Sequence, residues 1–132
     1  MRRRWVALTP EEWVRQCTIQ HLHTSGYPLE VMQVEGSITV NGMNRRCDIV
    51  VYREGKPWMI VECKKCEIPI TQKVCDQACR YNTVLQVPYL VLTNGRQMVM
   101  IEVDYMKGQL RQLSELPSYE KNVKSVSQKR HF

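Results

Sequence analysis

A chain of 132 residues with 43% hydrophobic residues is long enough for one core and too apolar to be disordered. Its longest apolar runs are far too short to cross a bilayer, and no charged-then-apolar signal segment opens it, so a soluble cytoplasmic protein without a membrane partner is expected. A formal net charge of +6 favours a polyanion such as nucleic acid, because neutralised phosphates release counterions, although a plain basic protein carries as much.

Thr9-Pro10-Glu11-Glu12 reads as a helix start: threonine as cap, proline in the first turn, glutamate three after the cap. The helix is expected to reach about Thr24 and stop at Ser25-Gly26. On this reading Glu12 is the acid of a capping box, and His21 and His23 favour the helix dipole rather than a metal. Met32 to Val40 alternates as a strand, with a turn at Asn41-Gly42. Ile49 to Tyr52 and Trp58 to Val61 are nearly continuous apolar runs, as in strands buried on both faces. Thr71 caps a second helix reaching about Leu85. Pro88 to Thr93 is a buried strand, Asn94-Gly95 turns into Gln97 to Val103, and Tyr105 to Leu113 adds an edge strand with a turn at Lys107-Gly108. The order predicts an α/β fold with a mixed central sheet flanked by helices, as one domain over 1–117. Residues 118–132 read as a basic, aperiodic tail. That tail offers phosphate contacts through Lys121, Lys124, Lys129 and Arg130, and its removal is expected to cost little stability.

Asp48 precedes the first apolar run, and Glu62-Cys63-Lys64 ends the second. Strand side chains alternate, so Glu62 and Lys64 share a face and Cys63 points away. Two carboxylates can hold a hard cation through oxygen, and a lysine beside them can position or deprotonate an attacking water. The bland alternative is a solvated cross-strand pair. The acids share a face if Asp48 lies directly opposite Glu62, which leaves Glu54-Gly55-Lys56 as a three-residue loop with a glycine bulge. The six cysteines include Cys63-x-x-Cys66 and Cys75-x-x-x-Cys79, which suggest zinc, but Cys63 in a strand and Cys75 and Cys79 on one helix turn suit a reduced core equally well.

The segment from Arg46 to Gly95 carries CDIVVY, the strand end IVECK, PIT before a helix, DQACRYN and PYLVLTNG. In that order and spacing it resembles the N-terminal nuclease-type domain of type I restriction enzyme R subunits, in the PD-(D/E)XK nuclease superfamily. The upstream LTPEEWVRQ resembles the family's first helix, so the likeness runs from roughly Trp5 to Glu102. It implies a restriction-endonuclease-like αβββαβ core and an Mg²⁺- or Mn²⁺-dependent hydrolase acting on DNA. Asp48 and Glu62 match the metal-binding carboxylates, Lys64 the catalytic lysine, Gln77 and Tyr81 a Gln-x-x-x-Tyr helix motif, and Glu12 an auxiliary acid. The backbone carbonyl of Cys63 is a third candidate ligand, and Lys73 and Arg80 are candidate contacts to the nucleic-acid backbone, with a solvated helix face as their alternative. Cys47 stands where the superfamily name has proline, and Lys65-Cys66 where relatives often have Ala-Pro. A strand pair that often precedes the first helix is missing from this segment. No Gly-x-x-x-x-Gly-Lys-Ser/Thr loop of an ATP-driven motor is present, so specificity and translocation are expected from restriction-modification subunits or other proteins. The rivals are a non-catalytic nucleic-acid-binding or assembly module that kept the fold, and a zinc-stabilised interaction domain.

Overall fold

A computed structural model of the chain describes residues 9–40 and 42–120. Arg2 to Arg4, Asn41 and the basic residues of 121–132 lie outside the described residues. Helix α1 spans Pro10–Thr24 and starts as its sequence requires: the Glu12 N–H donates to Thr9 Oγ1 at 3.1 Å. One stripe of α1, Val14, Thr18 and Leu22, is buried, and Thr18 Oγ1 returns a 2.7 Å bond to the Val14 carbonyl. A short 3₁₀ turn at Leu29–Val31 leads into β1 (Met32–Val40), β2 (Met43–Arg53) and β3 (Lys56–Cys63). Helix α2 (Gln72–Leu85), capped by Thr71 on the Val74 N–H at 3.3 Å, crosses to β4 (Tyr89–Thr93). Strands β5 (Met98–Asp104) and β6 (Gln109–Leu113) complete the sheet.

The six strands lie in chain order, β1 to β6. Only β3 and β4 run parallel, because only there does a helix intervene; every other pair is an antiparallel hairpin. The mixed sheet with a helix on each face is the α/β architecture expected. Alternate residues of β3 divide between two cores. Met59, Val61 and Cys63 pack with Val14 and Leu22 of α1, and Ile60 packs with Cys75, Ala78 and Leu85 of α2. Burying each such aliphatic side chain contributes roughly 1.5–3 kcal/mol. No helix among the described residues is long and apolar enough to cross a membrane.

The β2–β3 turn departs from expectation. Arg53 pairs with Lys56, so the loop has two residues, Glu54 and Gly55, both left-handed at φ 54° and 77°. This is the type I′ geometry, which matches strand twist. The expected third loop residue, Lys56, belongs to the strand. Further in, the register shifts: Tyr52 pairs with Pro57 but Val51 with Met59. Trp58 is thus the extra residue of a bulge, and the bulge restores the alignment that the shorter loop would have lost. Glu54→Asn is expected to raise stability by about 0.5–1 kcal/mol, because asparagine accepts the left-handed conformation that glutamate resists. Urea denaturation checks this, and a lowered midpoint would refute the turn type.

The end of the described chain is also packed. Leu116 and Tyr119 close over the α1-side core. Tyr27 donates its hydroxyl to the Pro117 carbonyl, and Tyr119 donates to the Tyr52 carbonyl at 2.7 Å. The Tyr119 ring lies 5.7 Å from Tyr27 and 5.4 Å from Trp58, edge-on to the latter. The packing contacts thus extend to Tyr119, two residues past the expected boundary at 117.

Candidate active site

The β2–β3 register sets the two acids against each other. Ile49 pairs with Val61, so the next rung carries Asp48 opposite Glu62. Asp48 Oδ2 accepts the Cys63 N–H at 2.7 Å, which fixes the carboxylate against the end of β3. Asp48 and Glu62 line one small cavity of about 220 Å³, together with Arg15, Glu35, Arg46 and Cys47.

A local irregularity opens this cavity. Cys47 packs in the α2-side core, while Ile49, two residues on, packs in the α1-side core. Strict alternation would put both on one face, so β2 rolls over at Asp48. On the neighbouring strand Glu35 has φ 54°, and the β1–β2 ladder passes from Val34–Ile49 to Gly36–Cys47 around it. A left-handed glutamate inside a strand is a rare conformation, and here it faces the candidate acid.

Glu62 also lines a larger cleft, of about 590 Å³, between β2–β3 and α2. Lys64, Gln77 and Tyr81 are on its wall, over an apolar floor that includes Ala78, Leu85 and Leu92. Four of the expected site residues thus share one cleft, and Asp48 joins them through Glu62. The Lys64 backbone N–H continues the β3–β4 ladder to the Thr93 carbonyl at 2.8 Å, so the lysine stands on ordered strand. Among the described residues Lys64 makes no ion pair.

The other candidates are elsewhere. Glu12 lines neither cavity; its carboxylate binds the Arg15 guanidinium and, at 2.7 Å, the Gln16 amide. The hydrogen bond from Arg15 holds the Glu12 carboxyl below its ordinary range. Glu12 therefore reaches Asp48 only through Arg15, whose Nη1 is 3.8 Å from Asp48 Oδ1. Arg80 lines a groove between α2 and β5–β6, away from both acids, and Lys73 is exposed and lines neither cavity.

Two arginines were not among the sequence candidates. Arg15 faces Asp48, and Arg45 forms an ion pair with Glu62 while its guanidinium lies 4.7 Å from the Tyr81 ring centroid. Neither has a sequence signature. Their roles depend on how α1 docks and on where β2 rolls over, and both are tertiary facts.

Asp48 and Glu62 offer hard oxygen donors on one cavity, and no cluster of three or more His, Cys, Asp or Glu residues suited to a metal occurs among the described residues. Mg²⁺ is commonly held by one or two carboxylates, with waters and substrate phosphates completing its shell. The donor set fits that pattern. The cysteines do not fit zinc. Cys63 lies in the α1-side core and Cys75 and Cys79 pack with the α2-side core, so the sheet separates them. Burial pushes the Cys47 thiol up to about 11 and the Cys63 thiol up to about 12, away from the thiolate that zinc needs.

The same shifts set an alkaline limit. A folded-state pKa raised above the ordinary value of 9.0 means that the unfolded chain ionises first. The contribution to stability is intact below about pH 9 and is lost as pH rises toward about 11 for Cys47 and about 12 for Cys63. Urea midpoints are expected to fall over that window. Exposed Cys17 should react promptly with a thiol reagent at pH 8, while Cys47 and Cys63 react only on unfolding. Prompt labelling of all six would contradict their burial.

Comparison with known proteins bears on the fold and the family. A solved structure described as a fragment of an HsdR subunit of a type I restriction enzyme, from Vibrio vulnificus YJ016, superposes with a TM-score of 0.62 at 24% identity. The match covers 92% of this chain and 26% of that one, so the present chain spans about a quarter of its length. At that identity the likeness speaks for the fold. No curated protein matches the chain. Residues 10–117 match the family model for the type I restriction enzyme R protein N terminus, and the match takes in both helices, all six strands and the acids Asp48 and Glu62. The chain belongs to the type I restriction enzyme R protein N-terminal family.

Proposed function

We propose that the chain is a metal-dependent phosphodiesterase domain that hydrolyses DNA. The observation that carries this reading is the convergence of Asp48 and Glu62 on one cavity, with Lys64 beside Glu62 in the adjoining cleft. When bound, Mg²⁺ or Mn²⁺ supplies Lewis-acid polarisation of the scissile phosphate and lowers the pKa of a coordinated water. Asp48, Glu62 and the Cys63 carbonyl are the protein groups to hold it. Lys64 orients the attacking water or stabilises charge on the phosphate, and among the described residues no ion pair occupies its ammonium. Gln77 and Tyr81 give the cleft hydrogen-bonding groups that suit phosphate oxygens. Sequence choice and ATP-driven motion are assigned to restriction-modification subunits or segments outside this stretch, and a DNA substrate implies work in the cytoplasm.

One observation favours the rival reading of a binding or assembly module. Each acid already has an arginine partner, so the charges have protein partners without a metal. Mn²⁺ titration and DNA cleavage separate the two. The nuclease reading expects nicking of supercoiled plasmid with Mg²⁺ or Mn²⁺ that chelator stops. Metal binding without any cleavage of duplex or single-stranded DNA would favour the module.

A further inference from the structure

The geometry points to Arg45 as an exchangeable counterion: it neutralises Glu62 until a divalent cation displaces it, and then becomes a phosphate-binding group. This rests on the metal reading of Asp48 and Glu62 and adds to it what competes with the metal. Arg45 lies on β2, three residues before Asp48, and its side chain crosses the mouth of the cleft to α2. There it is ion-paired with Glu62 Oε2 and stacked on Tyr81, 4.7 Å from the ring centroid. Both partners of the ion pair are largely shielded, with side chains 21% and 16% exposed.

A guanidinium paired with Glu62 Oε2 and a divalent cation bound to the same carboxylate repel one another and compete for its charge, so the ion pair opposes metal binding. Arginine does not deprotonate in proteins, so a change of pH cannot clear it; another cation must. Pairing in a shielded site also avoids leaving the Glu62 charge buried and uncompensated. Tyr81 is half exposed, and its ring holds the guanidinium in place against the Glu62 carboxylate. Once released, Arg45 lies on the wall shared with Lys64, where its planar fork suits a phosphate. Tyr81 is on this account a positioning residue that acts through Arg45.

Arg46, the neighbouring residue, lines both cavities but pairs with Glu35 at 3.4 Å rather than with Glu62, so it controls for through-space charge. Calorimetric titration with Mn²⁺ alone, at low ionic strength, should show Arg45→Gln binding about tenfold tighter than the wild type, and Arg46→Gln changing affinity by about threefold or less. Tyr81→Phe keeps the ring and should match the wild type, while Tyr81→Ala frees the guanidinium and should tighten Mn²⁺ binding. In Ca²⁺, as a non-cleaving substitute, Arg45→Gln should weaken binding of a short duplex and lower the salt slope by about one. Equal effects of Arg45→Gln and Arg46→Gln, or no tightening in Arg45→Gln, overturn the inference while leaving the metal site standing. So does unchanged duplex affinity in Ca²⁺. A wild type that binds no Mn²⁺ overturns the metal reading and this inference with it. Should Arg45→Gln fail to fold, the Tyr81 pair decides alone: identical Mn²⁺ affinity for Phe and Ala overturns the role of the stacked guanidinium.

Discussion

Asp48→Asn, Glu62→Gln and Lys64→Met are each expected to cut Mg²⁺-dependent DNA cleavage by about a thousandfold or more, with little loss of stability. The isosteric amides are the informative choices. Asp48 accepts the Cys63 N–H at 2.7 Å, and alanine there would strand a backbone donor and confuse misfolding with lost chemistry. Asparagine keeps an acceptor in place and removes only the charge. Alanine at Asp48, Glu62 or Lys64 should abolish activity as well, at a higher structural cost. The three act as one unit, so the Asp48→Asn, Glu62→Gln double variant should be hardly worse than either single one. Rates from plasmid nicking, with unfolding midpoints measured on the same preparations, test this. Persisting cleavage by the double variant would assign the activity to another site or to a contaminant.

The second large effect falls on stability. A chain ending at Pro117 is expected to be less stable than one ending at Glu120 by about 2–4 kcal/mol, because it loses Tyr119. That ring packs on Tyr27 and Trp58, its hydroxyl donates to the Tyr52 carbonyl, and Arg53 lies 5.6 Å from its centroid. Tyr119→Ala in the longer chain should reproduce most of the loss. Tyr119→Phe, which removes only the hydrogen bond, should cost about 0.5–1.5 kcal/mol. Denaturant midpoints of the four proteins decide the matter, and equal stability of the two truncations would show that the Tyr119 packing contributes nothing.

The sequence was legible where a local rule decides the outcome. Thr9 and Thr71 marked both helix starts, because a cap needs only the residue and the N–H three positions on. The facing of Asp48 and Glu62 could be read from the hairpin, though the reason differed: a two-residue turn with a bulge at Trp58 produces the alignment expected of a longer loop. Glycine at 55 signals a tight turn but does not reveal that Glu54 is left-handed too. Arg15 and Arg45 were beyond reach. A surface arginine and a site arginine look alike until register and helix docking choose their partners. Tyr119 was missed because one aromatic residue in a polar stretch has no periodicity, and only the Tyr27–Trp58 surface gives it a place.

Because each strand's neighbours in the sheet are also its neighbours in sequence, the sheet can assemble by successive short-range closures, broken once by the α2 crossover. Low contact order of this kind favours rapid folding. Asp48 and Glu62 are brought together by a short hairpin closure over Glu54-Gly55, so their apposition is made within β2 and β3 and uses no residue of β4 to β6. Backbone amides of β2 and β3, central in the sheet, should then exchange with deuterated solvent more slowly than those of the edge strand β6. A ligand gripping both acids would cross-link the two arms of that hairpin and slow its exchange first.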